Sequence, residues 1–172
     1  GFLPSLTLDL DAARARAAQA LLHATKDGSL RNGPKDDTYD ASLAQAAILG
    51  FPNRDVCETT MQSIARALAV QAGGKETGFY FRYLRTDDFG RPQSSFVICS
   101  FWVVQGLARL GRMAEAQQIM AQVLTGANHL GLFSEHFVPE TRTQLGNFPQ
   151  AYSHVGLINA AFAVSPSWTT VL

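Results

Sequence analysis

Apolar residues recur at helical spacing along most of the chain, and the segments that show this come in two kinds. Some are striped. Residues 54–72 place Met61, Ile64, Ala65 and Leu68 on one face and Glu58, Gln62 and Arg66 off it. Residues 113–129 set Ala116, Ile119, Met120, Val123 and Leu124 against Glu115, Gln117, Gln118 and Gln122. Residues 9–26, containing LDAARARAAQALLHATK, form a third outer helix that Gly28 ends. Others are apolar on almost every face. SSFVICSFWVVQGLARL at 94–110 predicts a helix buried all round and stopped by Gly111. TYDASLAQAAILG at 38–50 is a shorter helix, with Asp36 or Asp37 as N-cap and Gly50 as C-cap. The last helix, 149–163, starts with Pro149 in its first turn. Asn53, after the Phe51-Pro52 turn, is the expected N-cap of the 54–72 helix.

The resulting order is amphipathic helix, long polar loop, apolar helix, short turn, three times over. Markers at Asp40, Phe96 and Tyr152 recur roughly 55 residues apart. Striped helices outside and apolar helices inside predict an all-α fold, an α/α toroid or part of one, built of three helical hairpins. An ordinary helical bundle or an α-solenoid has the same periodicity. The long loops disfavour a simple bundle, whose connections usually run about 2–8 residues. In a toroid those loops collect on one rim, where binding residues concentrate.

Composition narrows the partners. The chain has 172 residues with 14 basic and 14 acidic side chains, so nothing points to nucleic acid or an anionic membrane. That length suits one domain, a single helical unit over 1–172. No apolar run reaches the roughly 18 residues of a membrane span. Cys57 and Cys99 lie in apolar helical text and read as buried thiols. The first residues have no signal-peptide shape, and a cytoplasmic location is expected. Gly1 in place of an initiator methionine leads to the expectation that the natural start lies elsewhere.

The loops hold the candidate chemistry. DDTYDAS brings Asp36, Asp37, Tyr39 and Asp40 to the start of an inner helix; Asp36 and Asp37 read as turn and cap residues. GFYFRYLRTDDFGRPQSSF interleaves aromatics, Tyr80 among them, with Arg82 and Arg85 before Asp87 and Asp88. Its YFRY piece fits a short strand with Arg82 on the polar side. Flat apolar faces with planar donor and acceptor forks are what a sugar needs, although a surface loop has the same composition. The third loop carries Glu135 with Phe133, His136, Gln144, Asn147 and Tyr152 near it in sequence. Glycosidic hydrolysis takes two carboxyls, one donating a proton to the leaving oxygen and one acting opposite. His129, His136 and His154 match no metal-ligand spacing, and no cofactor fingerprint is present.

The segments DASLAQAAILGF, YFRYLRTDD, FVICSFWVVQGLARLGRMAEA and GLFSEHFVPETRTQLGNFPQAYSHVGLINAA resemble the C-terminal half of glycoside hydrolase family 15. That family holds glucoamylases, glucodextranases and some trehalases. The resemblance runs in register from about residue 9 to residue 162. It implies half of an (α/α)6 barrel and inverting hydrolysis of α-linked glucosides or oligosaccharides, without a cofactor. It makes Glu135, in the Ser134-Glu135 element, the general base, and Arg82 a ligand for sugar hydroxyls. Asp40 and Asp87 fall where the family keeps rim acids, and Tyr80 joins the substrate-binding set.

Two positions depart from the family pattern: His136 follows the base where a second acid is usual, and Gln93 replaces a common Glu. The family's general acid lies in an upstream Trp-Glu element, and neither Trp102 nor Trp168 precedes Glu. The chain is therefore expected to be inactive alone. Its apolar flanks should associate with a second copy or with the N-terminal half of the same enzyme. A non-catalytic sugar-binding or regulatory module is the alternative, and trehalase the alternative within the class.

Overall fold

A computed structural model describes residues 9–88 and 90–167. Six α-helices carry the fold among these residues: α1 Leu10–His23, α2 Gln45–Ile48, α3 Arg54–Leu68, α4 Val97–Arg109, α5 Met113–Leu124 and α6 Ala151–Val164. The long connections are not bare loops. They fold into small antiparallel sheets: β1 Thr25–Lys26 with β2 Ser29–Leu30, β3 Ala69–Ala72 with β4 Lys75–Tyr80, and β5 Ser95–Phe96, β6 His136–Val138 and β7 Thr143–Leu145 in the order β5-β6-β7.

Helix α4 is the axis of the molecule. Ten consecutive or near-consecutive residues, Val97 to Val104 with Gly106 and Leu107, are buried, as its uniformly apolar text predicts. The short helix α2 with the 3₁₀ turn Ala41–Ala44, and helices α3, α5 and α6, all pack on it. On α3 the side facing this core is Val56, Cys57, Thr60, Met61, Ile64 and Leu68. Asn53 accepts from the Val56 amide at 3.1 Å and caps α3 as expected. Helix α5 buries Ala116, Ile119, Met120 and Val123, whereas Leu124 is exposed. Aromatic contacts bind the loops to this core: Phe79 meets Phe137 with centroids 4.7 Å apart, and Phe101 meets Phe133 edge-on at 5.5 Å. Both cysteines are buried and unpaired.

Several boundaries differ from the sequence reading. Gly28 does not end α1. It follows Asp27 in the turn of the β1–β2 hairpin, where both residues have positive φ, and Asp-Gly suits that turn. The inner helix at 38–50 shrinks to 41–48, and its cap is Asp40, not Asp36 or Asp37. Asp36 is occupied elsewhere, accepting from the Thr38 amide and hydroxyl. Helix α3 stops at Leu68 because 69–80 pair as a hairpin, and that strand ends at Tyr80, before Arg82. Helix α5 ends at Leu124, well before Gly131. Pro149 precedes the α6 cap residue Gln150 instead of opening the helix.

Two helices are far less covered than expected. Helix α1 buries none of its side chains. Helix α6 buries only Ser153, Gly156 and Ala160, and its large residues Tyr152, Val155, Ile158 and Phe162 are 47–59 % exposed. The small stripe is what lets α6 lie close on α4: a Cβ at Gly156 would come within 2.4 Å of the Ile98 side chain. No described helix is long and apolar enough to cross a membrane.

Candidate active site

The β5-β6-β7 sheet sets Glu135 in place. Glu135 lies one residue before β6, and its backbone is tied on both sides. Its amide donates to the Asn147 carbonyl at 2.9 Å, and its own carbonyl accepts from the Val97 amide at 3.0 Å. The segment just before it is equally fixed, since the buried Ser153 hydroxyl donates to the Ser134 carbonyl at 2.8 Å. The side chain is held by Asn147. Its Oε2 accepts from the Asn147 amide at 3.2 Å and from the Asn147 Nδ2 at 3.0 Å. Oε1 has no hydrogen-bond partner among the described residues.

Next to it, His136 places Nδ1 3.1 Å from the Ser95 carbonyl and 3.2 Å from the Ser94 hydroxyl. Nδ1 donates to the carbonyl in one tautomer and accepts from the Ser94 hydroxyl in the other. The ring stacks on Phe96 with centroids 5.0 Å apart. His136 and Phe96 line a cleft of about 450 Å³ together with Arg82, Tyr83, Asp87 and Ser94.

Arg82 reaches the cleft through a tight ion pair. Its Nε donates to Asp40 Oδ1 at 2.6 Å, with the Asp40 side chain only 7 % exposed. The other Asp40 duty is local: Oδ1 also accepts from the Ser42 amide at 2.8 Å and starts the short inner helix. Burial works against the Arg82 charge, but the hydrogen bond and charge of Asp40 outweigh it and hold the guanidinium above its ordinary range. The pair uses only Nε, and the two terminal nitrogens of Arg82 have no hydrogen-bond partner among the described residues. Trp102 lies with its ring centroid 6.0 Å from the guanidinium carbon, and Tyr152 meets both Trp102 and Phe96. Also in the cleft lining, the Tyr83 hydroxyl donates to Asp87 Oδ2 at 2.5 Å. That bond, with some burial, raises the Tyr83 hydroxyl above its ordinary range.

Three of the five predicted site residues, Arg82, Asp87 and Asp40, thus fall in one neighbourhood, and Glu135 is joined to it through the backbone. Arg82 and Asp87 line the cleft, Asp40 anchors Arg82, and Glu135 directly precedes the cleft residue His136. Tyr80 is not brought there. It is 3 % exposed, burial drives its hydroxyl well upward, and it faces a separate cavity with Met61, Leu107, Arg112 and Glu115. The strand ends at Tyr80, so the chain turns between it and Arg82 and sends the two side chains to different places. Sequence reasoning also missed Asn147 as the partner of Glu135. The available signal was Leu-Gly-Asn, a glycine following a short strand. Among the described residues, no three His, Cys, Asp or Glu side chains gather as a metal cluster.

A cleft with a guanidinium fork, a carboxylate and aromatic faces suits a neutral polyhydroxylated ligand. Most of the chain is similar to known proteins. The profile of "Glycosyl hydrolases family 15" matches residues 111–162. A trehalase of Mycolicibacterium smegmatis is 37% identical over 142 residues, 81% of this chain and 21% of that protein. A trehalase of Thermoplasma acidophilum is 38% identical over 125 residues, 71% of this chain and 20% of that protein.

The chain belongs to glycoside hydrolase family 15.

Solved structures agree on the fold of this family 15 chain. A glycosidase in complex with glucose superposes with a TM-score of 0.77 at 19% identity, over 93% of this chain and 46% of that one. A wild-type glycosidase gives 0.73 at 19% identity with the same coverage. Likeness at that identity establishes the fold alone. The family 15 chain spans about a fifth of the length of the trehalases it matches and just under half of the solved glycosidases.

Proposed function

We propose that this family 15 chain supplies the general base and part of the sugar site of an inverting α-glucoside hydrolase. The carrying observation is the Glu135 carboxylate, tied through Oε2 and open at Oε1, one residue before His136 of the cleft that Arg82 lines. Oε1 takes the proton of the water that attacks the anomeric carbon. Arg82, oriented by Asp40, donates to hydroxyls of the sugar being cleaved, and Asp87 accepts from others. The proton for the leaving oxygen comes from a second carboxyl outside this chain, roughly 6.5–9.5 Å from Glu135, as inversion requires. Alone the chain does not turn over substrate.

In this reading the six helices form half of an (α/α)6 barrel. The exposed sides of α1 and α6 are the edges that meet the N-terminal half of the same enzyme or, in its absence, a second copy. The two trehalase relatives favour trehalose over maltose-type substrates within the class.

The test is Glu135→Gln in the full-length enzyme carrying this segment, with trehalose and maltose as substrates. Turnover is expected to fall by about 10²–10⁴-fold, with KM little changed. Wild-type turnover in that variant would remove Glu135 from the chemistry and leave the non-catalytic sugar-binding reading in its place.

A further inference from the structure

The hairpin that holds Glu135 is irregular at one point. In the β6–β7 ladder His136 faces Leu145, so the next pair in register would be Glu135 with Gly146. The Glu135 amide instead bonds to the carbonyl of Asn147. One extra residue has entered on the β7 side, and that residue is Gly146, with φ +75°. Two residues opposite one, with a left-handed glycine first, is the geometry of a glycine bulge, a device that re-aims side chains.

The bulge has two effects on Glu135. It turns the Asn147 amide toward the carboxylate, so that one residue offers Oε2 both a backbone and a side-chain N–H. It also brings the Gly146 backbone against the Glu135 side chain. A Cβ at Gly146 would lie 2.7 Å from Oε2 and 3.0 Å from the Glu135 Cβ. Only glycine fits there, on grounds of both φ and space. Asn147 itself is exposed and fills no core position. Its Nδ2 has no other partner among the described residues, so the side chain serves Glu135 alone.

We propose that Asn147, presented by the Gly146 bulge, is a positioning residue for the general base: it occupies Oε2 and leaves Oε1 as the single proton acceptor facing the attacking water. This rests on the reading of Glu135 as base. A glutamate has three side-chain torsions, and a loop glutamate without such a clamp samples several of them. Two donors on one oxygen select one torsional state and assign different work to the two oxygens.

The experiment compares Asn147→Ala, Asn147→Asp and Glu135→Gln in the full-length enzyme, by steady-state kinetics with trehalose and by thermal unfolding. Asn147→Ala removes one donor and keeps the backbone one; kcat is expected to fall about tenfold. Asn147→Asp has the same shape but sets a carboxylate against Oε2, and kcat is expected to fall about 100-fold, the scale of a misplaced reacting group. KM should change by less than about threefold and the unfolding midpoint by only a few degrees, since the residue is exposed. A structural role would reverse the order, because the isosteric Asp would be the milder change and both variants would lose stability along with activity. Wild-type kcat in Asn147→Asp, with Glu135→Gln inactive, overturns the positioning role alone. Wild-type turnover in Glu135→Gln overturns the base assignment and the positioning role together.

Discussion

Helices α4 and α6 both read as apolar text and live in opposite surroundings. Both are apolar, neither has a charged first turn, and both lack a side-chain N-cap. Yet α4 hides Phe101, Trp102, Val103 and Val104, whereas α6 hides Ser153, Gly156 and Ala160 and turns Tyr152, Val155, Ile158 and Phe162 outward. Apolar text states that a segment needs cover; it does not state which neighbours provide it. Helix α4 is surrounded by helices from its own chain. Helix α6 uses its small stripe to dock on α4 and leaves Tyr152, Val155 and Ile158 about half exposed.

Substitutions can break this comparison. The largest effect is expected from Val104→Asp, which puts a carboxylate where no solvent reaches; about 4 kcal/mol or more would be lost and the chain should not fold cooperatively. A cooperative unfolding transition near the wild-type midpoint in urea would contradict the central place of α4. Gly156→Leu should cost less, about 2–3 kcal/mol, because the added side chain meets Ile98 and Phe101 and drives α6 off its seat. A loss of under about 0.5 kcal/mol by chemical denaturation would mean the two helices are not in close contact. The smallest effect on stability belongs to Val155→Asp with Ile158→Asp. These change stability by only about 0.5 kcal/mol, while sedimentation velocity should show less self-association than wild type. If the pair unfolds the chain, the outer face of α6 is core and the contrast with α4 collapses.

The same contrast marks what the sequence could reveal. Burial of α4 was legible because almost every face of it is apolar, so little choice of orientation arises. The stripe on α3 and the Asn53 cap were legible because both depend only on local spacing. The outward face of α6 was not, since its orientation follows from Gly156 meeting Ile98, a contact between residues 58 positions apart in sequence. The candidate site divides in the same way. Glu135 and Arg82 could be singled out by motif. The Asn147 clamp depends on a one-residue slip in a ladder, which residue types record only as a glycine. The cap at Asp40 was obscured by two competing aspartates just upstream, and Tyr80 by an aromatic run in which neighbouring side chains go to different cavities.

One bond described above couples the interior to the chemistry. Helix α4 starts without a side-chain cap, and its first amide, on Val97, is satisfied by the carbonyl of Glu135. The carboxylate and the cap belong to one residue, so the deepest helix and the proposed base cannot move independently. The Val97 amide is thereby a built-in gauge: its rate of exchange with deuterium measures how often Glu135 leaves its seat, in the resting protein and without any substrate present.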